Sequence, residues 1–562
     1  MSKIIGAIFL LFVAAGKTLV AQDSSALMIA RKVADKIINE TTFEFKPVLQ
    51  KTQLGMQVID LKYLRIQKGE VAYSFTKFEA IKDTLVRFGV TASGKIKIWI
   101  NQQPVFQNDT PSTVHPKEFA YGRFDFNNEF PVKLKRGEND IIIRFEDGIS
   151  QPVIFLRPIQ KNDDVDNSVR FNDTTSVWSM AAFPASYKFS AEEEVKSHYA
   201  VNGKMIAWQT APKAFLSELV IDSSATYQRD SYADWNYPNG ATLWSMMALE
   251  DDKYIAFIKK YCRFILDHKN FFKWQYDSLF AYRGTFHRMF RLSMLDDSGT
   301  PALPFVEFYL STKEDAVKEL IAPIADYVLN TQVRLEDGTY CRPEPVNYTV
   351  WADDLFMSVP FLVRMARITG EQKYFDEAAN QVINFRKYLL DQKNGLYKHG
   401  WFSHTKEQSV AFWGRANGWV AWATTELLTW LRTKHPKYKT ILKIFRDHMN
   451  AIAGYQGTSG MWHQVLDRQD SYEETSCTAL FTLAMARGVR KGWLNPGLRK
   501  NAVKGWAAVK NKIDANGTVH GICRGTEIGF DEAFYMNRPT VDHDPRGLGA
   551  VITAGIEISK LK

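Results

Sequence analysis

Two periodicities divide the chain. From about Thr52 to Pro158, apolar residues recur at every second position: Ile96, Ile98 and Ile100 alternate with Lys95, Lys97 and Trp99. Phe130, Val132 and Leu134 repeat the pattern, followed by Ile141, Ile143 and Phe145. Such alternation puts one face of a strand in a core and the other in water. Asn101-Gln102-Gln103-Pro104 supplies a turn, and Lys135-Arg136-Gly137-Glu138-Asn139 is expected to close a hairpin with one wet face. After Asp234 the spacing lengthens to that of amphipathic helices. These are predicted near 241–249, 254–268, 301–310, 314–329, 351–369, 372–390, 417–432, 438–453, 471–487 and 502–513. Thr300 before Pro301 makes a cap and first turn, Ser471 with Glu474 a capping box, and Pro360 a kink.

At 562 residues the chain exceeds one ordinary domain. The patterns divide it into an export signal (1–22), an amphipathic helix (23–46), an antiparallel β-sandwich of jelly-roll type (47–160), a connection (161–230) and a helical domain (231–562). The fold class is multidomain and mainly α. The helix at 23–46 carries Leu27, Ala30, Val33, Ala34 and Ile37 on one face and reads as part of the downstream domain, stranded ahead of an insertion. Trp99 is expected to pack against the second domain. Recurrent antiparallel helix pairs suit a closed ring or an open solenoid, and periodicity leaves both open.

Composition narrows the function classes. Hydrophobic residues at 45% and charged ones at 24% describe a folded chain with ample core. Lys3, the apolar run from Ile4 to Ala15 and Leu19-Val20-Ala21 have the order of a signal peptide, so a periplasmic or secreted protein is expected, without membrane insertion. Cys262, Cys341, Cys477 and Cys523 are too irregularly spaced for a disulfide framework or a zinc site. A net charge of +9 suits a polyanion; for an exported protein that is acidic sugar rather than nucleic acid. No phosphate-cradling glycine loop or Gly-x-Ser-x-Gly elbow occurs, and neither cofactor nor metal is expected. Asp542-His543-Asp544 lacks a third ligand pattern and reads as a loop feature.

The chemistry concentrates between Val350 and Trp419. Trp351-Ala352-Asp353-Asp354-Leu355-Phe356-Met357, the Gly-Leu-Tyr-Lys-His run ending at His399, and Trp413-Gly414-Arg415 with Trp419 bring carboxylates, imidazole, guanidinium and indoles into one window. Indole faces stack on sugar rings, arginine grips carboxylates and a carboxyl group moves a proton. A second acidic pair, Asp296-Asp297, precedes Thr300. One aspartate of each pair is expected to serve a helix end and the other to converge in a pocket, held neutral by burial between tryptophans.

Together these motifs resemble the unsaturated rhamnogalacturonyl hydrolases of glycoside hydrolase family 105, and more distantly the unsaturated glucuronyl hydrolases of family 88. The likeness runs from about Asp234 to the C-terminus. It implies a C-terminal (α/α)6 toroid with a pocket at one end. It further implies Asp353 as the catalytic acid, Asp296 rather than Asp297 as its support, and Arg415 on the substrate carboxylate. Trp351, Trp413 and Trp419 would be ring walls, His399 a hydrogen-bonding partner, and Trp235 and Arg342 further substrate contacts. Arg342 departs from the family pattern, which often has histidine before the tryptophan motif. The implied reaction protonates C4 of a C4=C5 unsaturated uronic acid at the non-reducing end of a lyase-generated oligosaccharide; water adds at C5 and the neighbouring sugar leaves. A lyase on the same toroid, with His399 and Arg415 recruited, and an inactive glycan-binding protein are the alternatives.

Overall fold

The computed structural model describes residues 24–49, 56–113, 124–146, 152–160, 166–171, 177–202, 205–209, 215–219, 232–278, 284–343, 346 and 348–561. The expected export signal at 1–22 lies outside them. Among the described residues no helix is long and apolar enough to cross a membrane. The described residues start with helix α1 (Ser24–Glu40), followed by strands β1 (Phe45–Leu49), β2 (Gln57–Asp60), β3 (Glu70–Ala80), β4 (Thr84–Ala92), β5 (Lys95–Ile100), β6 (Gln103–Asn108), β7 (Asn128–Leu134), β8 (Gly137–Glu146), β9 (Val153–Ile159), β10 (Val169–Arg170) and β11 (Val177–Pro184). Helix α2 (Glu192–Asn202) and strands β12 (Met205–Gln209) and β13 (Phe215–Leu219) complete this region.

All strand pairings here are antiparallel. One sheet has the order β12-β11-β3-β8-β5-β6, with β10 added beside β3; a second has the order β2-β9-β4-β7. Ile96, Ile98 and Ile100 of β5 enter one core with Val86 and Phe88 of β4 and Ile154 and Leu156 of β9, so side chains of both sheets meet there. Trp178 Nε1 donates to Gln57 Oε1 at 3.2 Å, a buried bond from β11 to β2. The β5–β6 turn places Asn101 and Gln102 at φ +51° and +63°, the left-handed pair that matches strand twist in a tight hairpin.

Three expectations are corrected. The runs flanking Gly137 do not form a hairpin: β7 pairs with β4, whereas β8 pairs with β3 and β5. Gly137, at φ +106°, carries the chain from one sheet to the other, so β7 and β8 fill the same core from opposite sides. Residues 161–230 are not a bare connection. They contribute β10 and β11 to the sheet beside β3, β12 beyond them, and β13 as the partner of β1. Trp99 is half-buried against Tyr73, Phe75 and Ile142 on the outer face of its own sheet, where Phe189 and Val195 cover it.

The remainder is helical: α3 (Tyr237–Met247), α4 (Asp252–Ser278), α5 (His287–Arg291), α6 (Leu303–Thr312), α7 (Asp315–Asp326), strand β14 (Thr349–Trp351), α8 (Asp354–Thr369), α9 (Gln372–Leu389), strands β15 (Gly400–Phe402) and β16 (Glu407–Gln408), α10 (Gly414–Trp430), α11 (Tyr438–Gly454), α12 (Thr475–Arg490), α13 (Arg499–Lys510), α14 (Glu532–Met536) and α15 (Pro545–Ser559). Helix α3 packs on α6, α6 on α8, α8 on α10, α10 on α12, α12 on α15, and α15 returns to α3. Each is backed by a further helix: α4, α7, α9, α11, α13 and, behind α15, α1. The apolar face of α1 (Ala26, Ala30, Val33, Ala34, Ile37) is fully buried in this core.

Helix ends differ from the sequence reading in instructive ways. Glu474, not Ser471, caps α12, accepting from the backbone of Ser476 and Cys477. Thr300 caps nothing; its hydroxyl donates to the Phe356 carbonyl of α8 at 3.0 Å. Beside it, a Cβ on Gly299 would collide with the Met357 carbonyl oxygen. Because that neighbour is backbone, Gly299→Ala has to part the Asp296-bearing turn from α8. The expected loss is about 1–3 kcal/mol in urea unfolding, with lower activity in the fraction that folds; unchanged stability and activity would show that the two segments tolerate separation.

Candidate active site

The carboxylates gather where the N-terminal end of α8 meets the loops after α5, β14 and α9. Ala352 N–H donates to the His399 carbonyl at 3.0 Å, and β14 pairs with β15 so that Trp351 faces Gly400. This register sets Asp353 beside His399, with Oδ2 3.2 Å from Nε2. Asn417 fixes the other side of the histidine run. Its amide accepts from Tyr397 N–H and donates to the Tyr397 carbonyl, both at 2.8 Å, binding the run to the first turn of α10.

Arg342 organises the acids. Its guanidinium donates to both oxygens of Asp354, at 2.7–3.1 Å, and to both oxygens of Asp296, at 2.9 and 3.3 Å. It also stacks 4.1 Å over the Trp351 ring. Asp297 faces away and is held by buried Arg291, with Nε at 3.0 Å. Of the two pairs, Asp353 and Asp296 retain access to solvent, with side chains 12% and 22% exposed. Asp297 and Asp354 are closed into ion pairs.

The electrostatics depart from the sequence expectation for Asp353. Burial pushes its carboxyl up, yet the His399 imidazole and the Arg342 and Arg415 guanidiniums outweigh burial and hold it below the usual range. His399 is itself depressed by burial, so the imidazole is neutral. Raised proton affinity resides in the neighbours: burial drives Asp296 up against the pull of Arg342, and burial drives Asp354 up to about 7. Three carboxylates share limited positive charge, which raises the proton affinity of the Asp296–Asp354 pair.

That pair has a measurable consequence. A carboxyl whose folded value is raised contributes stability fully present below its unfolded value, about pH 4, and lost as pH climbs toward the folded value near 7. Asp354→Asn keeps an acceptor for Arg342 but does not titrate, so the fall in Tm across that interval shrinks. A curve parallel to that of the parent protein would place the proton elsewhere.

The remaining expected contacts are more enclosed than a ring wall would be. Trp413 lies between the His399 ring at 4.4 Å and the Arg415 guanidinium at 4.5 Å. Trp419 stacks on Phe356 at 4.6 Å and on Trp422, is 1% exposed, and so belongs to the core. Trp235 is buried and donates to the Asp297 carbonyl at 2.8 Å, supporting the acidic turn from below. Arg415 does not present a free fork. Its terminal nitrogens donate to the Cys523 carbonyl, the Arg524 carbonyl at 2.9 Å and Ser476 Oγ at 3.4 Å, so it brings charge to the site rather than an open grip.

Other residues at the site escape the sequence reading. Tyr237, at the start of α3, is half-buried in the field of Arg546, Asp296, Arg415 and Asp353. Asp544, read from the sequence as part of a loop feature, caps α15 and pairs with Arg546 at 3.0 Å; the signal for that helix is the Asp544-Pro545 step. Tyr535 reaches His399 from the chain after α13. All four cysteines are buried free thiols. Among the described residues no group of three His, Cys, Asp or Glu side chains is arranged to hold a metal ion.

The family model described as Glycosyl Hydrolase Family 88 matches residues 217–562. "Unsaturated rhamnogalacturonyl hydrolase YesR" of Bacillus subtilis (strain 168) is 29% identical over 263 residues, 45% of this chain and 73% of that relative. "Unsaturated 3S-rhamnoglycuronyl hydrolase" of Alteromonas sp. (strain LOR) is 28% identical over 216 residues, 37% of this chain and 50% of the relative. A family 105 glycoside hydrolase from C. acetobutylicum ATCC 824 superposes with TM-score 0.52 at 24% identity, covering 58% of this chain and 94% of that one. A possible family 105 member from Salmonella enterica gives 0.53 at 22% identity, covering 61% and 87%. At such identities the two structures speak to the fold alone.

Proposed function

Because the chain belongs to Glycosyl Hydrolase Family 88, we propose that it removes the 4,5-unsaturated uronic acid from the non-reducing end of oligosaccharides left by a polysaccharide lyase. The observation that carries this reading is the pairing of Asp353 with neutral His399, across from the Arg342-bridged Asp296. The helix circuit is read as the (α/α)6 toroid and the two sheets as a β-sandwich. The segment 1–22 is proposed to export the protein to the periplasm or beyond.

The chemistry follows from charge. In the free protein Asp353 lies low in proton affinity. A bound uronate adds a negative charge beside it and excludes water, and both changes raise a carboxyl pKa. Asp353 thus takes up its proton on binding and delivers it to C4. Positive charge then develops at C5, stabilised by the ring oxygen. Water adds there, losing a proton to the carboxylate just formed, and the resulting hemiketal opens to release the neighbouring sugar. Asp296 and Arg342 hold the second negative centre in register, and the Arg415 charge offsets the substrate carboxylate. Relatives named for rhamnogalacturonyl and 3S-rhamnoglycuronyl substrates support a uronic acid linked to rhamnose.

The test is ultraviolet absorbance of the conjugated double bond, followed with lyase products of pectic rhamnogalacturonan and of ulvan. A fall supports the hydrolase. A rise on intact polymer identifies a lyase, and no turnover with retained binding identifies a glycan-binding protein.

A further inference from the structure

His399 touches the site through one ring nitrogen and the rest of the protein through the other. Nε2 lies 3.2 Å from Asp353 Oδ2, and Nδ1 lies 3.0 Å from the Tyr535 hydroxyl. Tyr535 comes from α14, 136 residues along the chain, and is fully buried. Its place is built from several sides. Gln464 Nε2 donates to its carbonyl at 2.9 Å, and Gly529 N–H donates to its hydroxyl oxygen at 3.2 Å. The Ser409 side chain meets the same oxygen. The surrounding segment is tied to the strand after His399. Val410 N–H donates to the Gly529 carbonyl at 3.1 Å, and Ile528 sits where any Cβ on Gly400 would come within 2.5 Å of it.

A phenol has one proton to give. The Tyr535 oxygen accepts from Gly529 and is met by Ser409, so that proton goes to the remaining neighbour, His399 Nδ1. A neutral imidazole accepting at Nδ1 carries its hydrogen on Nε2, the nitrogen that faces Asp353. We propose that Tyr535 is a positioning residue that fixes the His399 tautomer and thereby sets the proton affinity of Asp353. It acts through His399 and touches no reacting atom. The inference rests on the hydrolase reading for its kinetic consequence, though the tautomer does not depend on that reading.

Other charged and titratable groups around Asp353 are Arg342, Arg415, Asp296, Asp354 and Tyr237. The Tyr535 hydroxyl hydrogen-bonds His399, Gly529 and Ser409 and none of these groups; it feels Asp353 only through space, and Tyr535→Phe removes no charge, so the variant acts on the site through the histidine. Without the phenolic proton the imidazole can place its hydrogen on Nδ1. Two unprotonated acceptors then face each other, and the carboxyl holds a proton to higher pH.

The experiment compares the parent protein with Tyr535→Phe in two ways. Nitrogen-15 spectra of histidine-labelled protein read the tautomer without substrate: Nε2–H in the parent and a shift toward Nδ1–H in the variant. The pH profile of kcat/KM reads the consequence: its alkaline limb, which reports the proton donor, moves upward, kcat falls on the order of 10–100-fold, and KM changes little. A histidine spectrum identical in both proteins overturns the proposal, whatever the activity. An altered tautomer with an unmoved pH profile overturns the link to Asp353. Loss of activity without either change marks Tyr535 as packing only. Failure of the parent protein to consume any unsaturated oligosaccharide removes the hydrolase reading and leaves the spectroscopic arm standing. Ser409→Ala, assayed alongside, retains the phenolic proton and is expected to preserve the tautomer.

Discussion

Asp353→Asn is expected to lower kcat on unsaturated oligosaccharides by about 10²–10⁴-fold and to leave KM within a few-fold. The reasoning is geometric before it is electrostatic. Asparagine has the same shape, keeps a polar atom opposite His399 Nε2, and leaves the Ala352–His399 backbone bond and the β14–β15 pairing untouched. What it cannot do is carry a proton to carbon. Binding therefore persists while turnover stops, and the absorbance of a saturating substrate stays flat with the variant. Removing a negative charge also lessens repulsion toward the uronate, so KM is as ready to fall as to rise. An Asp353→Asn protein within about ten-fold of the parent rate would move the proton donor elsewhere, with Asp296 the next to replace.

The second large effect is far from the carboxylates. Along successive packed helices runs a belt of alternating charge: Glu307 on α6, Arg364 on α8, Glu426 on α10, Arg487 on α12 and Glu557 on α15. Arg364 bonds Glu307 at 2.6 Å and Glu426 at 3.1 Å; Arg487 bonds Glu426 and, at 2.8 Å, Glu557. Burial raises Glu426, but the two arginines more than reverse it and keep it charged. Glu426→Ala leaves Arg364 and Arg487 facing one another in the interior, and breaking a buried pair from one side costs about 3–5 kcal/mol. The urea midpoint of the helical region is expected to drop accordingly, with activity per folded molecule unchanged. A single-variant loss under about 1 kcal/mol would mean that water reaches the belt.

How much of this the sequence discloses depends on the length scale of the signal. Helix spacing is local: it predicts helices at 372–390 and 438–453, and α9 and α11 lie at Gln372–Leu389 and Tyr438–Gly454. The family resemblance rests on short contiguous motifs, and the Glycosyl Hydrolase Family 88 match covers those residues. Partnerships across the chain are not legible. Nothing near Gly137 distinguishes a hairpin from a crossing between sheets, since both bury the same alternate residues. Burial of Asp353 between aromatics suggests a neutral carboxyl, but its proton affinity is decided by Arg342, Arg415 and His399, whose approach only the tertiary structure fixes. The indoles read as walls because tryptophan stacks on sugars. Trp419 stacks instead on Phe356 and Trp422, and periodicity cannot say which face of a ring is already taken.

The charge belt also has a gap. Its two ends, Glu307 and Glu557, are both acidic, and the helix between them in the packing circuit, α3, supplies no charge to join them; its Trp244 instead lies under Arg364, 4.3 Å from ring to guanidinium. The α15–α3 contact is held by close backbone approach at Gly549 and Ala241 and by small hydroxyls, Thr553 on Ser245 and Thr242 on the Pro545 carbonyl. This is the place where the two extremities of the helical region meet. A circuit joined by ions at four of its six helix contacts, neither of α3's contacts among them, behaves like a strap with a buckle: under stress it is expected to come undone at α3, and the α8–α10–α12 arc, which carries Asp353 and Arg415, to stay assembled after the buckle has opened.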